Sequence, residues 1–420
     1  MIREIHPLRR PVNAGIHVPG SKSLTNRALI CAALAKGEST LNNASDSDDT
    51  SLMRNGLNQL GVLVRKKDDT LIVEGTGGKV YAPKFPIPVG NAGTTLRFLL
   101  SLAALAPGKT VLDGSERMAA RPIDDLTSSL AALGTEVGFS PHQARYVVNG
   151  GSFVGGKTKL DASRSSQFLS SLLMVAPYAT EDVQIEVAGE ISSAPYVQLT
   201  LQVMREFGVN VEHLAGDCFV VRAGQRYIPT SFAVEADASS ATYFLAAAAL
   251  CSGDILVEGV RRDTLQADAN FVNILHQMGC RIEHEERGVR LNSNGRLQGV
   301  DVSMNSMPDA VPTLVVTALF AEGTTRIRNI SHLRHKESDR LHAMETELKK
   351  LGAEISVYDD RVDINPSILS GGVLDTYDDH RLAMAFALIG LKVDGVKIDN
   401  PACVRKSFPQ FWTEFDKLYC

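Results

Sequence analysis

A chain of 420 residues in which 44% are hydrophobic and 22% charged can bury a large core, and at that length two or three domains are expected. The formal charge of -5 excludes a general nucleic-acid or membrane-surface protein, because nonspecific binding to phosphate needs a net basic face; any basic site must be local. Cys31, Cys218, Cys251, Cys280, Cys403 and Cys420 form neither a Cys-x-x-Cys pair nor a cluster at metal spacing, which predicts free thiols.

The stretch Met1 to His6 alternates charged and apolar residues, without the apolar core of a signal peptide, and the apolar runs are too interrupted to span a bilayer. A cytoplasmic protein is expected. Then comes Pro19-Gly20-Ser21-Lys22-Ser23-Leu24-Thr25-Asn26-Arg27, which runs into the apolar segment 28–35. A small-residue turn, two cations and several hydroxyls stand where a helix should begin. Backbone N–H groups, the positive dipole end, Lys22 and Arg27 can there converge on a phosphate or carboxylate.

The arrangement repeats along the chain. Apolar, small-residue-rich helices are predicted from Arg27, Leu96, Phe168, Tyr243, Leu314 and Leu382, with breaks at Gly37, Gly108, Glu181, Gly253, Gly323 and Gly395. A short alternating strand follows each break, and the breaks recur about every 70 residues, as in an internally repeated fold. Between these lie helices ending at Leu60-Gly61, Leu133-Gly134, Phe207-Gly208, Met278-Gly279 and Leu351-Gly352, each followed by an alternating hairpin. One more helix, from Pro409, closes the chain without its hairpin. The predicted unit of this α/β chain is helix, strand, helix, strand, strand. Six such units divide naturally as three and three, with the boundary near 226–230 and the first strand assignable to either half.

Before each apolar helix stands a polar cluster: Ser21 to Arg27, Gly90 to Arg97, Ser163 to Gln167, Asp237 to Ser240, Met307 to Thr313, and Tyr377 to Arg381. If the units are equivalent, the clusters occupy equivalent places and can gather in the gap between two domains as an anion trap. Good helix caps alone account for the hydroxyls. They do not account for Lys22, Arg27, Arg97, Gln167 and Arg381 beside them. Further cations stand at Arg121 before Pro122, at Lys336 and Arg340 with like charges four apart, and at Lys406. Asp309 and Glu337 are the candidate acid–base groups among them.

Taken in order, PGSKSLTNR at 19–27, GNAGTTLR at 90–97, Arg121-Pro122, SSQF at 165–168, DASSATYF at 237–244, PDAVPT at 308–313, KESDR at 336–340, DHRLAMAFA at 379–387 and KSFP at 406–409 resemble the successive signatures of the 5-enolpyruvylshikimate-3-phosphate synthase family. The resemblance covers essentially the whole chain. It implies a two-domain inside-out α/β barrel, three repeats to a domain, with residues 20–230 forming one domain and 1–19 with 231–420 the other. It implies transfer of the enolpyruvyl group of phosphoenolpyruvate to the 5-hydroxyl of 3-phosphoshikimate, with release of phosphate, in aromatic amino acid biosynthesis. No metal, cofactor, nucleic acid or membrane enters that picture, and a monomer is expected.

Carried over by motif, 3-phosphoshikimate would contact Lys22, Ser23, Arg27, Ser165, Ser166, Gln167, Ser193, Tyr196, Asp309, His332 and Lys336. Phosphoenolpyruvate would contact Lys22, Asn91, Gly93, Arg121, Gln167, Arg340, Arg381 and Lys406. The resemblance makes Asp309 the acceptor of the hydroxyl proton and Glu337, with Lys22, the donor to the methylene carbon. Three positions depart from the common pattern: Phe98 where many relatives carry proline, Ala194 where lysine is common, and His332 where asparagine often contacts the shikimate moiety. Phe98 lies on the helix bearing Gly93, where the family also binds glyphosate. The related UDP-N-acetylglucosamine enolpyruvyl transferase is the alternative; Lys22-Ser23 in place of Lys-Asn and the absence of cysteine from 114–121 disfavour it. A noncatalytic anion-binding protein on the same repeats would have lost the acids, whereas Asp309 and Glu337 are both present.

Overall fold

The computed structural model describes residues 1–420 and divides the chain into two units, Gly20–Val234 and Met1–Pro19 with Glu235–Cys420. In the first, the helix Lys22–Leu34 is buried at every position from Leu24 to Leu34. A helix that is apolar all round has no face to offer water and must sit inside. Gly93–Ala103 and Ser166–Val175 are buried nearly as completely. In the second unit Ala238–Leu250, Val311–Ala318 and His380–Gly390 are buried throughout.

Gly20–Val234 also holds three four-stranded sheets. In one, Val183–Ala188 runs parallel to Gly156–Asp161, with Ile185 opposite Thr158, and antiparallel to Cys218–Val221, which pairs in turn with Glu212–Leu214. Each sheet thus holds one strand more than the helix, strand, helix, strand, strand unit predicts. The extra strand leads the repeat and pairs in parallel. Most of these leading strands left little trace in sequence because they are short, and some carry Gly or Pro, as in Ile87-Pro88-Val89-Gly90.

The leading strand of the first sheet comes from the far end of its unit. Ser231–Ala233 pairs in parallel with Lys36–Asn42, Phe232 facing Leu41. The boundary expected at residue 230 therefore falls at Val234, because backbone pairing ties 231–233 to the preceding residues.

The second unit has two four-stranded sheets built the same way, with Asn13–His17 parallel to Asp254–Glu258 and Asp301–Ser303 parallel to Thr325–Arg328. Its third sheet lacks the hairpin, and Ile2–Ile5 pairs antiparallel with Val396–Asp399 in its place. The single closing helix expected from Pro409 is instead the helix Phe411–Asp416 with a 3-10 turn at Lys417–Tyr419. Its aromatic rings explain the tight end: Phe411 packs on Phe408, Phe415 and Phe244 within 6 Å. No helix is long and apolar enough to cross a membrane.

Candidate functional site

In Gly20–Val234 the predicted residues stand at the starts of the buried helices. Ser21 caps Lys22–Leu34 by accepting from the Leu24 amide, and Ser165 caps Ser166–Val175 by accepting from the Gln167 amide. The start of Gly93–Ala103 follows Ala92, which makes no side-chain cap bond. Asn91 and the buried Arg121 flank that start: Arg121 Nη1 donates to the Asn91 carbonyl at 3.3 Å, and a Cβ added at Gly93 would lie 2.7–2.8 Å from the guanidinium. Any larger residue at 93 would have to push that guanidinium aside.

Arg27 is 2% exposed, and four of its five N–H donors go to Thr200 Oγ1 (2.8 Å), the Ser23 carbonyl (3.1 Å), Ser170 Oγ (3.4 Å) and the Tyr196 carbonyl (3.1 Å). Its guanidinium lies 5.5 Å from the Phe98 ring centre and 5.9 Å from that of Tyr196. Phe98 therefore does local work as an aromatic wall for Arg27. Burial lowers the Arg27 pKa to about 10, which leaves the cation charged at neutral pH. Arg97 donates to Gln167 Oε1 at 2.7 Å and to the Pro122 carbonyl at 3.3 Å, so it orients Gln167. Ser193 holds a left-handed φ of 57° ahead of the helix Pro195–Glu206, on whose first turn Tyr196 stands; Ala194 beside it is exposed.

Lys22 Nζ lies 2.9 Å from Asp49 Oδ2, and the Asp49 carbonyl accepts from Thr95 Oγ1 at 3.0 Å. Asp49 was missed in sequence. It sits in a run of acids, Asp46, Asp48 and Asp49, of which only its burial singles it out.

In the second unit Asp309, Glu337, Arg340 and Arg381 form one network. Asp309 accepts from Arg340 Nη1 at 2.9 Å through one oxygen and from Arg381 Nη2 at 2.6 Å through the other. Arg340, 1% exposed, also donates to Glu337 Oε2 at 2.8 Å and to Asp379 Oδ2 at 2.8 Å. Asp379 is wholly buried, caps the Arg381 amide at 3.0 Å and accepts from Ser338 Oγ at 3.0 Å. Tyr243 OH lies 3.4 Å from Arg381 Nη1. Asp379 and Tyr243 join the site residues only here; the sequence signal for Asp379 was its place before His380-Arg381.

Burial acts to raise the Asp309 pKa, but Arg381, Arg340 and Lys336 outweigh it and hold the carboxyl well below the usual carboxylate range. Burial would likewise discharge Arg340, yet Asp379, Glu337 and Asp309 keep it fully protonated. His332 is 7% exposed, its Nε2 has no hydrogen-bond partner, and burial with the neighbouring Lys336 lowers its pKa to about 3. The imidazole is neutral at physiological pH. Lys336 is extended and Asp339 caps the helix Arg340–Lys350, so the helical i,i+4 repulsion between Lys336 and Arg340 anticipated from their spacing does not arise. Lys406 ends the 3-10 turn Pro401–Lys406, which packs on His380–Gly390.

Comparison with known proteins gives a consistent result. Residues 8–415 match the family model described as EPSP synthase (3-phosphoshikimate 1-carboxyvinyltransferase). A 3-phosphoshikimate 1-carboxyvinyltransferase of Nostoc punctiforme is 42% identical over 419 residues, covering 99% of this chain and 98% of its own. One from Syntrophobacter fumaroxidans is 45% identical over 426 residues, covering all of both. In fold, the chain is similar to a solved EPSP synthase of Acinetobacter baumannii, with a TM-score of 0.83 at 24% identity over 99% of this chain and 98% of that one.

Proposed function

This chain belongs to the EPSP synthase family, and on that premise we propose how its residues divide the reaction. That reaction is transfer of the enolpyruvyl group of phosphoenolpyruvate to 3-phosphoshikimate, a step of the shikimate pathway to aromatic amino acids. Both substrates carry a phosphate and a carboxylate, which call for guanidinium groups and helix starts rather than an apolar slot. We assign 3-phosphoshikimate to Lys22, Ser23, Arg27, Ser165, Ser166, Gln167, Ser193, Tyr196, Asp309, His332 and Lys336. Phosphoenolpyruvate is assigned to Lys22, Asn91, Gly93, Arg121, Gln167, Arg340, Arg381 and Lys406. Neutral His332 can offer its partnerless Nε2 to a hydroxyl, the service an amide would perform.

In the proposed sequence Asp309 takes the proton of the 5-hydroxyl as its oxygen bonds to C2 of phosphoenolpyruvate. Glu337, with Lys22, delivers a proton to C3, giving a tetrahedral adduct. Removal of a proton from the new methyl group then expels phosphate and restores the double bond. The observation that carries this reading is the double hold on Asp309 by Arg340 and Arg381. These are cations assigned to phosphoenolpyruvate, and an anion that takes up their N–H groups withdraws the attraction that keeps Asp309 a weak base. Substrate binding and activation of the base are thereby coupled.

The finer architecture belongs to the same proposal: each unit is an inside-out α/β barrel, its buried helices enclosed by sheets, and the two units are the two enolpyruvyl-transferase domains. Helices buried at every position, such as Ala238–Leu250, support it. Six cysteines without disulfides suit a cytoplasmic enzyme. The test is phosphate release from purified protein given both substrates. Turnover with UDP-N-acetylglucosamine in place of 3-phosphoshikimate would overturn the substrate assignment.

A further inference from the structure

Immediately before Asp379, two consecutive residues other than glycine occupy the left-handed region, Tyr377 at φ 53° and Asp378 at φ 54°. For a bulky side chain such as tyrosine this is a true outlier, and such backbone persists only where its surroundings dictate it. The surroundings here include the Asp375 carboxylate, which accepts from the Tyr377 amide at 2.7 Å, Asn400, whose side-chain amide donates to Asp378 at 3.0 Å, and Glu347. The Glu347 carboxylate, completely buried, accepts from the Asp375 amide at 2.9 Å, from Tyr377 OH at 2.9 Å and from Lys350 Nζ at 2.6 and 2.7 Å. Burial and the bond to Glu347 push the Tyr377 hydroxyl up to about 12, so it remains a donor.

Glu347 and Arg340 stand two turns apart on one face of the helix Arg340–Lys350 and grip the same segment at two points. Arg340 holds Asp379 just after the left-handed pair, and Glu347 holds Asp375 and Tyr377 before and within it. An apolar side chain of similar volume would fill the Glu347 position without burying a charge, so packing alone does not explain a carboxylate there. We propose that Glu347 is a positioning residue for the reaction: it enforces the left-handed turn at Tyr377 and Asp378 and thereby fixes where Asp379 and Arg381 stand. The inference rests on the assignment of Arg381 to phosphoenolpyruvate.

Steady-state kinetics of Glu347→Gln, Tyr377→Phe and Arg381→Lys, each with its melting temperature, test it. Glu347→Gln keeps the shape but cannot accept from all three donors; KM for phosphoenolpyruvate should rise about tenfold while KM for 3-phosphoshikimate stays within about twofold. Tyr377→Phe keeps the ring, deletes one bond and should move the same constant by about threefold. If Glu347→Gln fails to fold, Tyr377→Phe decides alone. A lower melting temperature with both KM values unchanged makes Glu347 a stability residue only and overturns the inference. Arg381→Lys separates the two levels: an unchanged KM for phosphoenolpyruvate there refutes the underlying assignment, and the inference falls with it, whereas a raised KM there and none in the other variants refutes the inference alone.

Discussion

The two units anchor their cations differently. In Gly20–Val234, Arg27 and Arg97 donate to hydroxyls, backbone carbonyls and the Gln167 amide. In the other unit, Arg340 and Arg381 donate to the carboxylates of Asp309, Glu337 and Asp379. A guanidinium held by neutral oxygens keeps its field for an incoming anion. One held by carboxylates spends that field on setting their protonation. On the proposed assignment, the same repeat, with its polar cluster at a helix start, grips anions in one unit and both binds phosphoenolpyruvate and sets protonation in the other. Lys22 with Asp49 departs from this rule, in keeping with its proposed part in both binding and proton transfer.

The sharpest way to break this contrast is Asp309→Asn, which keeps the shape but removes the base. Turnover should fall by roughly two to four powers of ten while calorimetry still detects 3-phosphoshikimate binding. Joint loss of fold and binding would make Asp309 a structural partner of Arg340 and Arg381. A smaller effect is expected in the gripping unit from Gly93→Ala, whose new methyl lies under 3 Å from the Arg121 guanidinium and must displace it. KM for phosphoenolpyruvate should rise about tenfold with kcat little changed; an unchanged KM would detach Arg121 from that substrate.

The smallest effect concerns His332. Its folded pKa, about 3, lies below the ordinary value of 6.5, so between those limits the unfolded chain binds the extra proton. Its contribution to stability is whole above pH 6.5 and is lost as pH falls toward 3. His332→Asn should remove a slope of up to about 1.4 kcal/mol per pH unit from denaturant unfolding in that window. Parallel acid profiles for wild type and variant would show that His332 does not titrate as its burial requires.

Much of the architecture was legible because the buried helices advertise themselves: 238–250 is rich in alanine with no charged residue, and Gly253 marks its end. The leading strands were not, since three- or four-residue segments such as Ser231–Ala233 and Gly372–Leu374 show too few alternations to stand out. At the site, residue types named the cations and the two acids. Pairing could not be read, because which carboxylate Arg340 meets depends on contacts across some 30 to 40 residues of chain, at Asp309 and Asp379. Asp49 and Glu347 escaped for the same reason: an acid among acids on an amphipathic helix looks solvated until its burial is known.

The pairing of Ile2–Ile5 with Val396–Asp399 bears on how the chain is made. The sheet edge that these first residues complete does not exist until nearly the whole polypeptide has left the ribosome, whereas Gly20–Val234 holds all of its own strands once residue 233 has emerged. During synthesis the unit with neutral anchors can close early, and the acid-bearing one must wait, its opening strand idle, for the last part of translation.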